Sequence, residues 1–157
     1  MVVTTSEEQK KEHVRQYAEE SPCICFNIRK AARAITQVYD DMFKLTGLRS
    51  SQISIIQTIE RLGSLTVCQL ADAMATDRTT ITRNLKPLAR DGYVMIQPGM
   101  DRREKEIITT KKAKEVARKA MNIWIKFQDR LHGNIGEERM KQLCRDLNEI
   151  TNEIKKM

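Results

Sequence analysis

Three stretches of the chain carry apolar residues at alternating four- and three-residue steps, and none of them lies at its centre. The first is Ile24, Ile28, Ala31, Ile35, Val38, Met42 and Leu45, a period of about 3.5 residues, which is the seam of one helix packed along another. It opens after Ser21-Pro22, a cap followed by a residue whose backbone suits the first helical turn, and closes at Thr46-Gly47. The second, Ala113, Val116, Ala120, Ile123 and Phe127, runs from a Thr110 cap to Gly133-Asn134. The third, Met140, Leu143, Leu147, Ile150, Ile154 and Met157, begins after Gly136. The spacing predicts three long helices whose seams meet within one bundle or between two copies of the chain. Residues 1–20 read as an arm or an additional helix.

The centre has a different rhythm. Leu48 to Leu62 predicts a short helix with Ile55, Ile56, Ile59 and Leu62 inward, stopped by Gly63. Thr66 then caps a brief helix, Val67 to Met74, burying Val67, Leu70, Ala71 and Met74. A three-residue link leads to a further helix capped by Thr76 or Asp77, and two short helices so joined form a helix-turn-helix. After Gly92 come a strand from Tyr93 to Gln97, a turn over Pro98-Gly99 and a second strand from Glu104 to Thr109. A helix-turn-helix followed directly by a hairpin is a winged helix. The expected fold is therefore mainly α with a small β-hairpin wing. Its expected divisions are an arm over 1–20, a helical dimerisation region over 21–47 and 112–157, and a winged helix-turn-helix over 48–111.

Charge sharpens this picture. The 157 residues carry 28 Lys and Arg against 21 Asp and Glu, a net charge of +7. Between Asp101 and Lys119 there are eight basic residues and four acidic ones, so more than half of the surplus is concentrated there, as a phosphate-binding footprint requires. Aromatic residues are only 4% of the chain, which argues against stacking on single-stranded bases. No apolar run approaches the roughly 18 residues of a membrane span. The polar amino end has no apolar leader segment, and four cysteines do not make a disulfide scaffold, so a reduced, cytoplasmic setting is expected.

The chemistry is expected on the helix that follows Asp77. At 100° per residue Ile81, Leu85 and Leu88 share the core side, while Thr79, Thr80, Arg83, Lys86 and Arg90 share the opposite one. Short hydroxyls interleaved with long cations suit a major groove: Thr79, Thr80 and Arg83 can contact base edges, Lys86 and Arg90 phosphates. Arg78 falls toward the buried side by the same arithmetic. Pro87 removes the amide donor for the Arg83 carbonyl, so the helix is expected to end or kink there. At the hairpin tip, Arg102, Arg103 and Lys105 form a basic loop able to enter a minor groove, with Asp101 beside them to orient a guanidinium.

The stretch Asp77-Arg-Thr-Thr-Ile-Thr-Arg-Asn-Leu-Lys-Pro-Leu-Ala-Arg-Asp-Gly92 and the wing Asp101-Arg-Arg resemble the MarR family of transcriptional regulators, Pro87 included. Cys23-Ile-Cys25-Phe-Asn-Ile-Arg-Lys-Ala-Ala-Arg33 and Gly47-Leu-Arg-Ser-Ser-Gln52 resemble that family's first helix and the entry to its second. The resemblance extends over nearly everything from Cys23 to Met157. It departs at Thr109-Thr110 and Ala113, where the family often has Leu-Thr and Gly. It implies a homodimer whose terminal helices knit two winged-helix lobes, each recognition helix entering the major groove of half a near-palindromic operator. It also implies that Asp101 orients Arg103 into the minor groove.

Family members release DNA when a small molecule fills a cleft or a cysteine is oxidised. Cys23 and Cys25 open the first long helix, where the helix dipole favours a thiolate, and are the candidate redox sensors. A disulfide between them within one regular helix is disfavoured, since residues two apart point about 200° apart. Cys68 and Cys144 read as core. Tyr39, Phe43, Ile55 and Ile59 are the candidate lining of a pocket for a small aromatic effector. Two isolated histidines and no closed cysteine cluster give no metal site, and no nucleophile elbow, phosphate loop or HExxH stretch suggests an enzyme or a cofactor. The sequence thus predicts a cytoplasmic, sequence-specific regulator of transcription that binds double-stranded DNA, a repressor released by ligand or oxidant. The alternative is a helical homodimer whose lobes bind protein instead of DNA.

Overall fold

The computed structural model describes residues 6–99 and 104–157. Residues 1–41 and 42–157 form two compact units. In the first, helix α1 (Glu7–Glu20) opens on a reciprocal cap, with the Gln9 amide donating to Ser6 Oγ and the Ser6 amide to Gln9 Oε1. Residues 7–20, for which the sequence allows an arm or a helix, are thus helical. Helix α2 (Ile24–Phe43) follows. The corner between the two is fastened by Asn27 Nδ2, which donates to the carbonyls of Ser21 (2.7 Å) and Cys23 (3.1 Å). Tyr17 meets Phe26 edge to face at 5.6 Å, and Lys30 lies 5.5 Å above the same ring while donating to the Ala18 carbonyl. On α2 the seam residues Ile24, Ile28, Ile35 and Val38 are exposed.

In the second unit a 3-10 turn (Lys44–Thr46) leads through Gly47 into α3 (Ser50–Leu62). Then follow β1 (Leu65–Thr66), α4 (Val67–Ala73), α5 (Arg78–Arg90), β2 (Val94–Pro98), β3 (Lys105–Thr109), α6 (Lys111–Ile135) and α7 (Glu137–Lys156). The core joins Ile53, Ile55, Ile56 and Ile59 of α3 to Leu70, Ile81, Leu85, Leu88, Val94 and Ile107. Burial of such side chains is worth roughly 1.5–3 kcal/mol each, so this cluster holds the three short helices against the sheet. The strands pair antiparallel in the order β1-β3-β2, with Ile107 opposite both Ile96 and Leu65.

Several expectations are corrected. Helix α5 continues through Pro87 to Arg90. The lost hydrogen bond is offset by the buried Leu85 and Leu88 and by the closure of the helix end. There the Gly92 amide donates to Ala89 O (3.1 Å) and the Tyr93 amide to Leu88 O (2.8 Å), with Gly92 at φ 73°. Leu62 is exposed because it ends α3 beyond the last buried position, Ile59. Cys68 and Cys144 are exposed: Cys68 points about 200° away from Leu70, and no residue of α7 is buried in the single chain. Val67 and Met74 are only half-buried. No local pattern announced β1, a two-residue strand recruited by β3.

Candidate nucleic-acid interface

Asp77 is the cap of α5. Its Oδ1 accepts the Thr80 amide at 2.7 Å and its Oδ2 accepts the Thr80 hydroxyl, also at 2.7 Å. These two bonds, the amide first, hold the Asp77 carboxyl below its ordinary range. The link into the helix opens with Ala75 at φ 49°, the single non-glycine residue with positive φ among the described residues. The amides of Ala75 and Thr76 donate back to Asp72 O and Ala71 O at 3.2 and 3.0 Å. This backbone closure ends α4 and aims α5.

Ile81, Leu85 and Leu88 are buried at 1%, 3% and 0% exposure, so the opposite face is fixed outward. Thr79, Arg83, Lys86 and Arg90 are exposed along it and Thr80 is half-buried. Arg78, expected toward the core, is exposed too, since it stands in the first turn, before the first buried residue of the helix. Thr79, Arg83 and Lys86 make no side-chain hydrogen bond or ion pair among the described residues. Thr82 differs: its hydroxyl donates to Arg78 O at 2.7 Å. Asn84, on the flank, donates to Thr80 O (2.9 Å) and accepts from Ser51 Oγ of α3 (3.3 Å), which ties the helix to the lobe.

Arg90 is a different case from Lys86. It donates from Nε and Nη2 to both carboxylate oxygens of Asp91, at 2.8 and 3.1 Å. The guanidinium lowers the Asp91 carboxyl, helped by the charge of Lys112, and the carboxylate raises Arg90 in return. Lys112 in turn donates to Asp91 O at 2.7 Å and lies 4.3 Å above the Tyr93 ring. At the root of the wing, Thr110 caps α6 by accepting the Ala113 amide (3.3 Å) and donates its own hydroxyl to Gly92 O (2.8 Å). Both ends of the hairpin are thereby bound to the end of α5.

On the wing, Lys105 is exposed at the start of β3, opposite Pro98, and Gly99 N–H donates to Glu104 O at 2.9 Å. Asp101, Arg102 and Arg103 lie outside the described residues. Of the four expected pocket residues, Phe43, Ile55 and Ile59 are core side chains at 4%, 1% and 2% exposure, and Tyr39 belongs to the first unit. Ile59 only edges a small recess with Gly63, Ile108 and Lys114. A cleft of about 730 Å³ lies between α3 and α6, with Glu60, Arg61, Lys114 and Arg118 around an apolar wall of Ala117, Met121 and Trp124. Glu60 in this lining accepts the Thr109 hydroxyl of β3 at its Oε1. Cys23 and Cys25 are both exposed at the start of α2.

Comparison with known proteins bears on what this lobe is. The model of the MarR family matches residues 48–105, which span α3 to the first residue of β3. The solved structure of the Mycobacterium tuberculosis transcriptional regulator MosR in complex with DNA is 32% identical, with a TM-score of 0.76, covering 85% of this chain and 96% of that one. The chain belongs to the MarR family. An HTH-type transcriptional regulator of Bacillus subtilis, YwoH, is 28% identical over 111 residues, 71% of this chain and 81% of that protein. The Staphylococcus aureus MepR–DNA complex, at 15% identity, a TM-score of 0.73, and coverage of 86% and 99%, shares the fold. This chain is thus a transcriptional regulator of the MarR family with a winged helix, and the family's members are regulators, not enzymes. Among the described residues, no helix is long and apolar enough to cross a membrane.

Proposed function

We propose that the protein is a cytoplasmic repressor that binds a near-palindromic operator in double-stranded DNA as a homodimer. In this reading residues 48–111 are the DNA-binding region, while 21–47 and 112–157 form the dimerisation region. The observation that carries it is the outward face of α5. Thr79, Arg83 and Lys86 stand exposed and unpaired among the described residues, over a buried isoleucine–leucine row. That is the composition a major groove accepts. MosR, solved in complex with DNA, supports the same assignment here. Thr79, Thr80 and Arg83 read bases, Lys86 and Arg90 contact phosphates, and Arg103, oriented by Asp101 with Arg102 and Lys105 in the same wing, enters the minor groove.

Pairing is supported by the uncovered seams. On α7, Leu143, Leu147, Ile154 and Met157 are 49%, 38%, 62% and 104% exposed, an apolar stripe that a single chain leaves in water. Release would follow either occupation of the cleft between α3 and α6 or oxidation of Cys23 and Cys25. The apolar wall ending in Trp124, rimmed by Arg61, Lys114 and Arg118 with Glu60 among them, favours a small aromatic effector.

An electrophoretic mobility shift with the DNA flanking the protein's own gene, run across salt concentrations, tests the core of this reading. A shifted band holding two chains per duplex, weakening with salt, is expected. Absence of a shift at the lowest salt rejects it. Thermal-shift screening of aromatic acids, and peroxide treatment of Cys23→Ser and Cys25→Ser proteins on DNA, separate the two release routes.

A further inference from the structure

The hydroxyl proton of Thr80 is committed inside the protein. Thr80 Oγ1 donates to Asp77 Oδ2 at 2.7 Å while the Thr80 amide donates to Asp77 Oδ1 at the same distance. A threonine hydroxyl has one proton and two lone pairs, so Thr80 offers its surroundings lone pairs alone. A cap held below the ordinary carboxylate range stays ionised, and an ionised carboxylate only accepts. The bond therefore cannot reverse. Thr79, the neighbouring hydroxyl, makes no such bond among the described residues and can serve as donor or acceptor.

We infer that Asp77 is a specificity-positioning residue: by claiming the Thr80 proton it makes Thr80 a reader of amino-bearing bases. The inference rests on the duplex-binding reading above. In the major groove, adenine N6 and cytosine N4 donate, whereas guanine O6 and thymine O4 accept. Every base pair carries one of each, so an acceptor-only hydroxyl distinguishes which strand bears the amino base. Adenine or cytosine satisfies Thr80. Guanine or thymine sets two lone-pair-bearing oxygens against each other.

Asn at position 77 tests this with little disturbance, because asparagine caps helices about as well as aspartate. Its Oδ1 can keep the Thr80 amide while its Nδ2 donates to Thr80 Oγ1, which frees the hydroxyl proton to point outward. Wild type, Asp77→Asn, Thr80→Val and Thr80→Ser proteins are each used to select duplexes from a library of randomised sequence. Wild type and Thr80→Ser should enrich adenine or cytosine at one position per half-site, by roughly fivefold, the scale of one net hydrogen bond. Asp77→Asn should shift that position toward guanine or thymine, and Thr80→Val should flatten it while the other positions keep their preference. Unchanged preference at every position with Asp77→Asn, or with Thr80→Val, overturns the inference while leaving DNA binding intact. If Asp77→Asn does not fold, the contrast between valine and serine at position 80 decides. Failure of wild type to enrich any duplex overturns the duplex-binding reading, and this inference with it.

Discussion

Arg90 and Asp91, the last residue of α5 and the first beyond it, are joined by two charge-assisted hydrogen bonds of 2.8 and 3.1 Å. An arginine held in this fork has its charge largely answered before any phosphate approaches, while Lys86, one turn earlier on the same face, has no ion partner among the described residues. The two cations, equivalent on a helical wheel, are therefore unequal. Lys86→Ala should lower affinity for all duplexes alike and reduce the slope of log affinity against log salt by about one. Arg90→Ala should change that slope by less. Fluorescence anisotropy titrations across salt check both, and an Arg90→Ala change as large as that of Lys86→Ala would show that Asp91 lets go of Arg90 on DNA.

The Asp77 cap gives a pH dependence with a definite sign. Its folded value lies below the ordinary 3.8 because Thr80 donates to it twice. A carboxylate whose folded value is depressed contributes stability that is fully present above the unfolded value and is lost as pH falls through the folded one. The Thr80 amide resonance should accordingly report a midpoint below 3.8 in an NMR titration. A midpoint at or above that value contradicts the cap.

Ala75 holds a left-handed conformation, φ 49°, that disfavours any side chain with a Cβ. Ala75→Gly should raise the stability to chemical denaturation by roughly 0.5–1 kcal/mol, with base preference unaltered. A loss of stability would mean that Ala75 makes a packing contribution larger than its strain.

Much of this architecture was legible because local and tertiary requirements coincide. The row Ile81, Leu85 and Leu88 fixes which way α5 faces. Gly92 supplies the left-handed residue that ends it, Thr66 and Thr110 are caps in both sequence and structure, and of Thr76 and Asp77 it is Asp77 that caps α5. What escaped depends on contacts remote in sequence or on side-chain torsions. β1 exists only because Leu65 and Thr66 pair with Ile107 and Glu106. Helicity through Pro87 depends on core burial that outweighs one missing amide. The cleft beside Trp124 needs α3 and α6 brought together, and no periodicity shows that Thr80 turns its proton toward Asp77.

The uncovered stripe on α7 predicts how the assembly can be broken. Leu147, 38% exposed in the single chain, would sit in a dry seam between two copies, where an aspartate is strongly disfavoured. Leu147→Asp should shift the protein from dimer to monomer by sedimentation, with its circular dichroism little changed and operator affinity lost. A dimer that survives this substitution places the pairing surface elsewhere.

The outward face of α5 carries the reading of the duplex, and Arg83 is the cation on it proposed to contact bases. The most direct measurement is the affinity of wild type and Arg83→Ala protein for one selected duplex and for an unrelated duplex, at equal salt. Wild type should prefer the selected duplex and Arg83→Ala should lose most of that preference, while the dimer and its fold remain. Equal discrimination by the two proteins would contradict that role of Arg83.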